Sequence, residues 1–461
     1  MKKINRFISL LLLFAVVVSS AVWLSSCAKL GSTLTIGKIN KAMEKLDSYE
    51  MSTTINIKYY VDGEPVDYKN EKTTIVDGMN KSDFYYYSLS NIEVEADKLD
   101  VDQKMMVVEA YSDGNFYLRN KTDGRREIKL YGKMGIEKFK GYINPEGYSG
   151  INLNDCKNVR KWKNSDGTST IEYSGYSSST LSALVGSLGI QEYLLGSGMK
   201  DVTVTLIYDK DHRIKRLSYS FAFDSEDGRT PVLSVWSTYS NYNSAVRTDK
   251  YIKPTGYQEL DRISVLTDVA VALNKLANDK SGAFKFDFEQ NVSYVGNKSN
   301  YKESNTVIYG ERNGKFYYEI DSVSDGKKTK IKYSDGKQTA TGSGSPAKKI
   351  DSDSAARSYI VSMMNPTGLA IANVYDVVSL GGDVYELKCF TDKTACYNLI
   401  SQYGATYSSS THTVKVTVSP YGDLTKMESD LEVQGYIRKG NSGYGLGIKL
   451  HAVNEYDVNA S

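Results

Sequence analysis

Side chains that could act as nucleophiles, general bases or metal ligands are few in this sequence. The 461 residues include three histidines, His212, His412 and His451, and no two of them lie at i, i+4. No helix face would therefore present two imidazoles, and the HExxH, CxxC, GxSxG and P-loop patterns are absent. The sequence predicts no catalytic residue, no metal site and no cofactor, and it indicates a protein that is not an enzyme.

The amino-terminal segment combines positive charge, an apolar stretch and a cysteine. Three basic residues within the first six positions precede an apolar run over 7–24, and Ser25 and Ser26 come directly before Cys27. This order is typical of a secretory signal peptide with small residues at its cleavage site. The alternative is an uncleaved signal anchor with an incidental cysteine, because about eighteen apolar residues can span a bilayer.

The tetrapeptide LSSC at 24–27 resembles the bacterial lipobox. The resemblance implies cleavage between Ser26 and Cys27 and a thioether-linked diacylglycerol on the Cys27 thiol. Two acyl chains make release from the membrane rare, since each buried CH₂ contributes about 0.8 kcal/mol. We therefore expect a signal peptide over 1–26, a tether over 27–35 and a protein of the cell membrane, lipid-anchored on the extracytoplasmic face.

The charge balance offers little attraction for nucleic acid. The chain has 57 basic and 55 acidic residues, and removal of 1–26 deletes three of the basic ones, which leaves a net charge of −1. No basic field would then steer nucleic acid to the protein. The expected partners are the membrane, through the lipid on Cys27, and a lipid ligand, while the oligomeric state stays open.

Six landmarks occur twice in the same order, which predicts an internal duplication. The first pair consists of the amphipathic stripes over Ile39–Leu46 and Val269–Leu276, which lie 230 positions apart. The other pairs are Phe84–Tyr86 with Phe316–Tyr318, Tyr111–Gly114 with Tyr333–Gly336, Asn144–Gly147 with Asn365–Gly368, Leu181–Leu188 with Cys396–Tyr403, and Val202–Thr205 with Val414–Thr417. We expect a first repeat over 36–246, a linker over 247–262 and a second repeat over 263–459.

Each repeat reads as a helix followed by a meander of long strands. Apolar or β-branched residues alternate at Thr53, Ile55 and Ile57 and again at Phe284 and Phe286, which predicts strands with one dry face. Asp-Gly pairs mark tight turns, and such turns are too short for parallel crossovers. The expected fold class is α+β: two tandem copies of a curved antiparallel sheet, each a half-barrel, with helices covering the concave face.

This layout resembles the lipoprotein-carrier fold of LolA, LolB and the mycobacterial lipid-carrier lipoproteins. The opening of the first repeat, KAMEKLDSYEMSTTINIKYY at 41–60, is similar to the start of such domains in Gram-positive lipoproteins. The resemblance implies a cavity between sheet and helices that binds acyl chains or another apolar ligand. Its lining would include Leu181, Leu184, Val185, Leu188, Cys396, Leu399, Ile400 and Tyr403.

Two further patterns leave alternatives open. The tyrosines at 85–87 and 317–318 could form an exposed platform, or they could fill the interior of strands. Cys389 and Cys396 could form a disulfide or stay as buried thiols, and Cys156 has no evident partner. The leading interpretation is a non-enzymatic lipid-binding lipoprotein. The alternative is a cell-surface interaction module that binds wall glycan or a protein partner through Tyr-rich strands.

Overall fold

A computed structural model describes most of the chain after residue 31. The described residues are 32–61, 64–79, 81–96, 103–143, 156, 158–175, 199–223, 229–249, 252, 255–279, 281–294, 297–313, 315–342, 350, 353–391, 393–439 and 442–457. The signal peptide expected over 1–26 and the expected lipidation site Cys27 lie outside these ranges. Residues 32–35, the described part of the expected tether, are helical.

Twelve strands form the first sheet. They are β1 (Tyr49–Val61), β2 (Glu64–Asp77), β3 (Tyr85–Glu95), β4 (Gln103–Ser112), β5 (Asn115–Thr122), β6 (Ile128–Lys133), β7 (Asn158–Lys163), β8 (Ser169–Ser174), β9 (Met199–Tyr208), β10 (Ile214–Phe223), β11 (Val232–Ser240) and β12 (Gln258–Glu259). Their order in the sheet is β12-β6-β5-β4-β3-β2-β1-β11-β10-β9-β8-β7. Neighbours pair antiparallel, except that the short β12 runs parallel to β6.

Ten strands form the second sheet, and all neighbours in it pair antiparallel. They are β13 (Gly282–Tyr294), β14 (Asn297–Arg312), β15 (Lys315–Ser324), β16 (Lys327–Ser334), β17 (Lys337–Gly342), β18 (Val374–Gly381), β19 (Val384–Cys389), β20 (Thr406–Val418), β21 (Leu424–Lys439) and β22 (Ser442–Asp457). Their order is β17-β16-β15-β14-β13-β22-β21-β20-β19-β18.

The two sheets share one strand order. In each sheet the first strand of the half pairs with the last strand, β1 with β11 and β13 with β22. The second sheet has the same order as ten neighbouring strands of the first. In the first sheet these ten strands run across the sheet from β5, through the central pair β1 and β11, to β7. They correspond to β17, the central pair β13 and β22, and β18 of the second sheet. A duplicated chain would produce this arrangement. The repeat boundaries near 246 and 263 stay a prediction.

The expected fold class is wrong. The described part of the chain is mostly β, and its helices do not cover a concave face of either sheet. The described α-helices are α1 (32–44), α2 (Ile136–Ile143), α3 (Ser264–Asn278), α4 (Asp353–Met364) and α5 (Lys393–Ser401), with one turn of 3-10 helix at Ile371–Asn373.

Simple dimensions explain the error. Twelve strands at about 4.8 Å spacing make a sheet about 53 Å wide. A helix is only about 10 Å wide, so it covers about two strands. The five short helices that the structure describes, shared between two such sheets, leave most strands uncovered by helix. The sequence patterns identified the amphipathic helices α1 and α3, but they did not reveal how few described helices there are for so many described strands.

The main hydrophobic core runs through both halves of the chain. One contiguous cluster contains Ile39 and Met43 of α1, Ile57 of β1, Val269 of α3 and Phe284 of β13. Ile39, Met43 and Val269 are completely buried. The apolar stripes of α1 and α3 therefore face the core, as their i, i+3, i+4, i+7 spacing predicts. Because this core is shared, the two sheets belong to one packed body.

Polar contacts also join the edges of the two sheets. The Asn120 side-chain amide on β5 donates to the Ala372 carbonyl at 2.5 Å. Arg125 donates to the Thr391 carbonyl at 2.6 Å and lies over the Phe390 ring. These bonds join residues more than 250 positions apart.

The described residues 245–249, 252 and 255–260, here named the strap, lie on the outer face of the first sheet. Beneath them lies a second apolar cluster that includes Tyr85 and Tyr87 of β3 and Tyr117 of β5, all buried. Arg247 of the strap pairs with Asp77 at 2.5 Å, and its guanidinium lies over the Tyr85 ring. Part of the expected polar linker thus packs against the sheet, and it includes strand β12.

Candidate functional site

A well-formed cavity lies between α2 of the first half and α3 of the second. Its volume is about 680 Å³, and it is half open to solvent. The turn between β20 and β21 and the start of β13 close its other sides. Ligand-binding cavities commonly measure about 300–1,000 Å³. This space, here named the junction cavity, is therefore large enough for a small ligand or an acyl chain.

The floor of the junction cavity is apolar. It is formed by Val271, Ala272, Leu276, Phe284, Leu424 and Tyr456. Phe284, Leu424 and Tyr456 are buried members of the main core, whereas Leu276 packs against that core and stays partly exposed. Ala272 and Leu276 belong to the amphipathic stripe of α3, whereas Val271 lies outside that stripe on the same helix.

Tyrosine hydroxyls around the cavity are engaged elsewhere. Tyr456 donates to the Met364 carbonyl at 2.6 Å, and Tyr309 donates to the Leu276 carbonyl at 3.3 Å. Tyr142 donates to the Glu109 carboxylate. Burial raises the pKa of Tyr309 to about 12, so this hydroxyl stays protonated at neutral pH. The hydroxyls of these three tyrosines are therefore not available as hydrogen-bond donors to a ligand in the cavity.

One ion pair connects the two helices across the mouth of the cavity. Lys138 Nζ of α2 lies 2.7 Å from Asp268 Oδ1 of α3, and the Asp268 side chain is only 7% exposed. Burial raises the pKa of Asp268, and the neighbouring Lys138 ammonium opposes this shift. Gly422 of the β20–β21 turn has φ +93°, and a β-carbon there would lie 3.1 Å from the Asp268 carboxylate. A glycine thus lets the turn approach the pair closely.

The charges on the lining are mixed and slightly acidic. Lys138 and Lys275 contribute two ammonium groups, and Glu137, Asp268, Asp279 and Asp423 contribute four carboxyl groups. Burial also raises the pKa of Asp279, while Lys275 and Arg357 act in the opposite direction. A cavity with this balance suits a neutral, zwitterionic or cationic headgroup better than an anionic one.

Of the residues predicted to line a cavity, the described ones do not line this one. Leu181, Leu184, Val185 and Leu188 lie outside the described residues, as do Ser26 and Cys27. Cys396 and Ile400 of α5 are buried, and Leu399 and Tyr403 are partly buried. These four pack in a separate cluster on β20, β21 and β22, with neighbours such as Val433 and Ile448. Their helical stripe closes a small core.

The cysteines that the structure describes form no disulfide. Cys156, Cys389 and Cys396 are all buried. Burial raises the pKa of the Cys389 thiol to about 12, which makes it unreactive at neutral pH. The alternative of a disulfide between Cys389 and Cys396 is therefore wrong for this structure.

The three histidines lie on different elements. His412 is buried, with Nε2 3.0 Å from Thr367 Oγ1, and burial lowers its pKa to about 4. His212 stacks on the Tyr208 ring. His451 Nδ1 lies 2.8 Å from Asp430 Oδ1, and Glu428 completes a cluster whose possible ligand atoms fall within 4.8 Å. Sequence spacing missed this surface cluster because β21 and β22 bring its members together.

Of the two alternatives for the tyrosines at 85–87 and 317–318, the structure agrees with the strand interior and not with an exposed platform. Tyr85, Tyr86, Tyr87 and Tyr318 are buried, and Tyr317 is partly buried with the Arg312 guanidinium over its ring. Tyr86 faces the main core, whereas Tyr85 and Tyr87 face the strap. These side chains fill the interior of the protein.

Sequence reasoning did not identify the junction cavity. Its two walls, α2 and α3, are separated by 130 positions at the Lys138–Asp268 pair. One signal was available: at an offset of 230, Asp268 corresponds to Lys38, so the charge on this helix flank changes sign between the halves. A buried acid on an otherwise apolar helix indicates a partner from another element.

No family model and no curated protein matches the chain. Among solved structures, it is similar to a DUF1329 family protein from Desulfovibrio piger, with 12% identity over 51% of this chain and 99% of that one and a TM-score of 0.17. It is also similar to the translocator domain of the autotransporter NalP from Neisseria meningitidis, with 7% identity, coverage of 94% and 97%, and a TM-score of 0.12. A third likeness is to OpdO from Pseudomonas aeruginosa, with 7% identity, coverage of 89% and 97%, and a TM-score of 0.16. TM-scores this low do not establish a shared fold.

Among the described residues, none of the helices is both long and apolar enough to cross a bilayer.

Proposed function

We propose that this chain is a membrane-anchored extracytoplasmic lipoprotein that binds an apolar or amphipathic ligand, without catalysis, in the junction cavity. The observation that carries the proposal is the cavity of about 680 Å³, whose lining combines buried apolar side chains such as Phe284 and Leu424 with charged groups such as Lys275 and Asp423. The anchor would be the diacylglycerol on Cys27 that the LSSC motif implies. A lipid is the ligand class that fits both the location and the cavity.

The apolar floor favours a hydrocarbon chain. Burial of apolar surface contributes about 25 cal/mol per Å², so a chain that covers Phe284, Leu424 and Ala272 gains affinity without any directed bond. The engaged tyrosine hydroxyls of Tyr142, Tyr309 and Tyr456 leave few unsatisfied donors that an apolar chain would have to bury.

The rim favours a particular headgroup. Asp268 is compensated by Lys138, and the remaining groups include one ammonium, on Lys275, and three carboxyl groups. An anionic head would meet net repulsion there, whereas a choline or amino head would find carboxylates and the ring of the exposed Tyr421. The ligand is therefore expected to be zwitterionic or neutral.

A pair of matched variants tests the proposal. Ala272→Phe adds a ring inside the junction cavity, and Ala42→Phe adds the same ring at the corresponding position of α1, 230 residues earlier. Titration with a fluorescent phosphatidylcholine should give saturable binding for the original chain and the Ala42 variant, and at least tenfold weaker binding for the Ala272 variant.

A second variant that fills the junction cavity provides an independent test. Val271→Trp fills the same space from the next position of α3 and covers the case in which Ala272→Phe lowers stability. Equal phosphatidylcholine affinity in the original chain and in both folded filling variants would overturn the proposed site, and absence of saturable binding by the original chain would overturn the proposed function.

A further inference from the structure

The exposed side of α1 carries a stripe of lysines. Lys38, Lys41 and Lys45 are all exposed, and Leu34, on the same flank, is 63% exposed. Positions i, i+4, i+7 and i+11 fall within an arc of about 60° on a helix of 3.6 residues per turn. The opposite side of α1 presents Ile39 and Met43 to the core, so this stripe can only face outwards.

A groove runs beside the stripe. The lysines and the β9–β10 turn enclose a shallow space of about 410 Å³, to which Asp211, His212 and Arg213 contribute. Arg213 pairs with Asp209 at 2.9 Å and with Asp211 at 3.0 Å, so the acids of the turn are already compensated. Within the described part of the chain, no carboxylate lies in ion-pair distance of the three lysines. The positive charge is therefore available to an outside partner.

The corresponding surface of the second half is different. At the offset of 230, Lys38, Lys41 and Lys45 correspond to Asp268, Val271 and Lys275 of α3. That flank of α3 is covered by α2 through the Lys138–Asp268 pair. Of these two corresponding flanks, the one on α1, next to the expected lipid anchor, carries three exposed lysines.

The chain length to the anchor restricts where this helix can lie. Residues 28–31 separate Cys27 from Ser32, the first described residue of α1. Five steps of a fully extended chain span at most about 18 Å. An acylated Cys27 would therefore hold Ser32, the first described residue of α1, within about two Debye lengths of the lipid headgroups at physiological salt.

We propose that the lysine stripe of α1 docks on an anionic bilayer surface and orients the protein on its membrane. The proposal rests on the proposed function in so far as Cys27 is the anchor. Phosphate headgroups lie against Lys38, Lys41 and Lys45, and Leu34 enters the interface between headgroups and acyl chains. Short polybasic segments beside an acyl anchor bind such surfaces because the lipid and the charge act together.

The test separates docking from acylation. The mature chain with Cys27→Ala, which cannot be acylated, is mixed with vesicles of phosphatidylcholine alone or with 30% phosphatidylglycerol. We expect binding to the anionic vesicles only, and its loss at high salt. The triple variant Lys38→Glu, Lys41→Glu, Lys45→Glu should lower the partition coefficient at least about a hundredfold, since each lysine near such a surface contributes about fivefold.

A charge-matched control and a milder variant make the result decisive. Lys298→Glu, Lys327→Glu and Lys337→Glu reverse three exposed lysines of the second sheet, and this variant should bind anionic vesicles like the original chain. Replacement of the stripe lysines by Gln should give an intermediate loss. Equal loss in the control triple, unchanged binding in the stripe triple, or binding to soluble polyphosphate without binding to vesicles would overturn the proposal.

The vesicle result is independent of whether Cys27 is acylated. Intact-mass measurement of the original protein from its host reports acylation separately. If the protein is acylated but its unacylated form does not bind anionic vesicles, the anchor on Cys27 is supported and the docking surface on α1 is contradicted.

Discussion

Lys138 Nζ lies 2.7 Å from Asp268 Oδ1, and this pair joins α2 of the first half to α3 of the second. Asp268 is almost fully buried, so its charge depends on the lysine for compensation. The same pair forms part of the rim of the junction cavity. A single interaction thus fixes both the relation of the two helices and the mouth of the proposed binding site.

Removal of Lys138 should destabilise the protein. Lys138→Met leaves the Asp268 carboxylate buried without its ammonium, and loss of such a partner costs about 1–3 kcal/mol. Urea unfolding followed by circular dichroism measures the change in the free energy of unfolding. The control Lys104→Met breaks an exposed pair with Glu93 at 3.2 Å and should change stability by less than about 1 kcal/mol. Equal effects of the two variants would contradict the structural role of the Lys138 pair.

Acid should weaken the fold through His412. The folded-state pKa of this buried histidine is lowered to about 4 from 6.5, so the unfolded chain takes up a proton at higher pH than the folded one. Stability should therefore fall as the pH drops from about 6.5 to about 4, by on the order of 3 kcal/mol in total.

His412→Gln should remove most of this pH dependence. Urea unfolding at a series of pH values between 7 and 4 measures it. His451→Gln, at an exposed position beside Asp430, is the control, and its free energy of unfolding should depend on pH as that of the original chain does. If the free energy of unfolding of the His412 variant depends on pH as strongly as that of the original chain, other groups cause the acid sensitivity.

The strap should contribute to stability through Tyr257. This residue packs edge-on against the Tyr117 ring, with ring centroids 5.7 Å apart, and covers the outer cluster of the first sheet. Because the side chain is only partly buried, Tyr257→Ala should cost about 2 kcal/mol, less than the loss for a fully buried aromatic. Tyr421→Ala, at a site that is 93% exposed, should stay within about 0.5 kcal/mol in the same urea titration.

Limited proteolysis gives a second measure of the strap. If Tyr257 holds this segment on the sheet, its truncation should speed cleavage within 245–260 while the two sheets remain resistant. Unchanged cleavage would show that the strap is held by its other contacts alone, such as the Tyr85 hydroxyl bond to the Thr248 carbonyl at 2.6 Å.

Gly132 should tolerate no side chain. A β-carbon there would lie 2.3 Å from the Leu260 carbonyl oxygen, so Gly132→Ala must displace the backbone after β12. We expect a loss of roughly 2 kcal/mol or more, because neither backbone segment can move freely. Gly135→Ala is the matched control, since its added methyl group meets nothing within 4 Å. Thermal unfolding of the two variants compares them, and similar midpoints would contradict the close contact.

The sequence predicted local features well. The stripes of α1 and α3 face the core, and the alternation at Ile55 and Ile57 of β1 places these side chains inside. Such patterns depend only on helical and strand periods, so they can be read from neighbouring residues.

Features that depend on distant contacts were not predictable in this way. The wrong fold class came from the proportion of helix to strand, which no single stripe reveals. The strap looked polar in sequence, yet Arg247 and Tyr257 hold it on the sheet through partners more than 100 positions away. The junction cavity required α2 and α3 to meet, and only the odd charge at Asp268 indicated it.

The central claim is that the junction cavity holds a lipid. Native mass spectrometry of the full protein, extracted from its host membrane in mild detergent, tests it most directly. We expect a population whose mass exceeds that of the acylated chain by one neutral or zwitterionic lipid, and we expect this population to disappear in Ala272→Phe but not in Ala42→Phe. A chain that carries no extra lipid, or that carries the same lipid in both variants, would contradict the account.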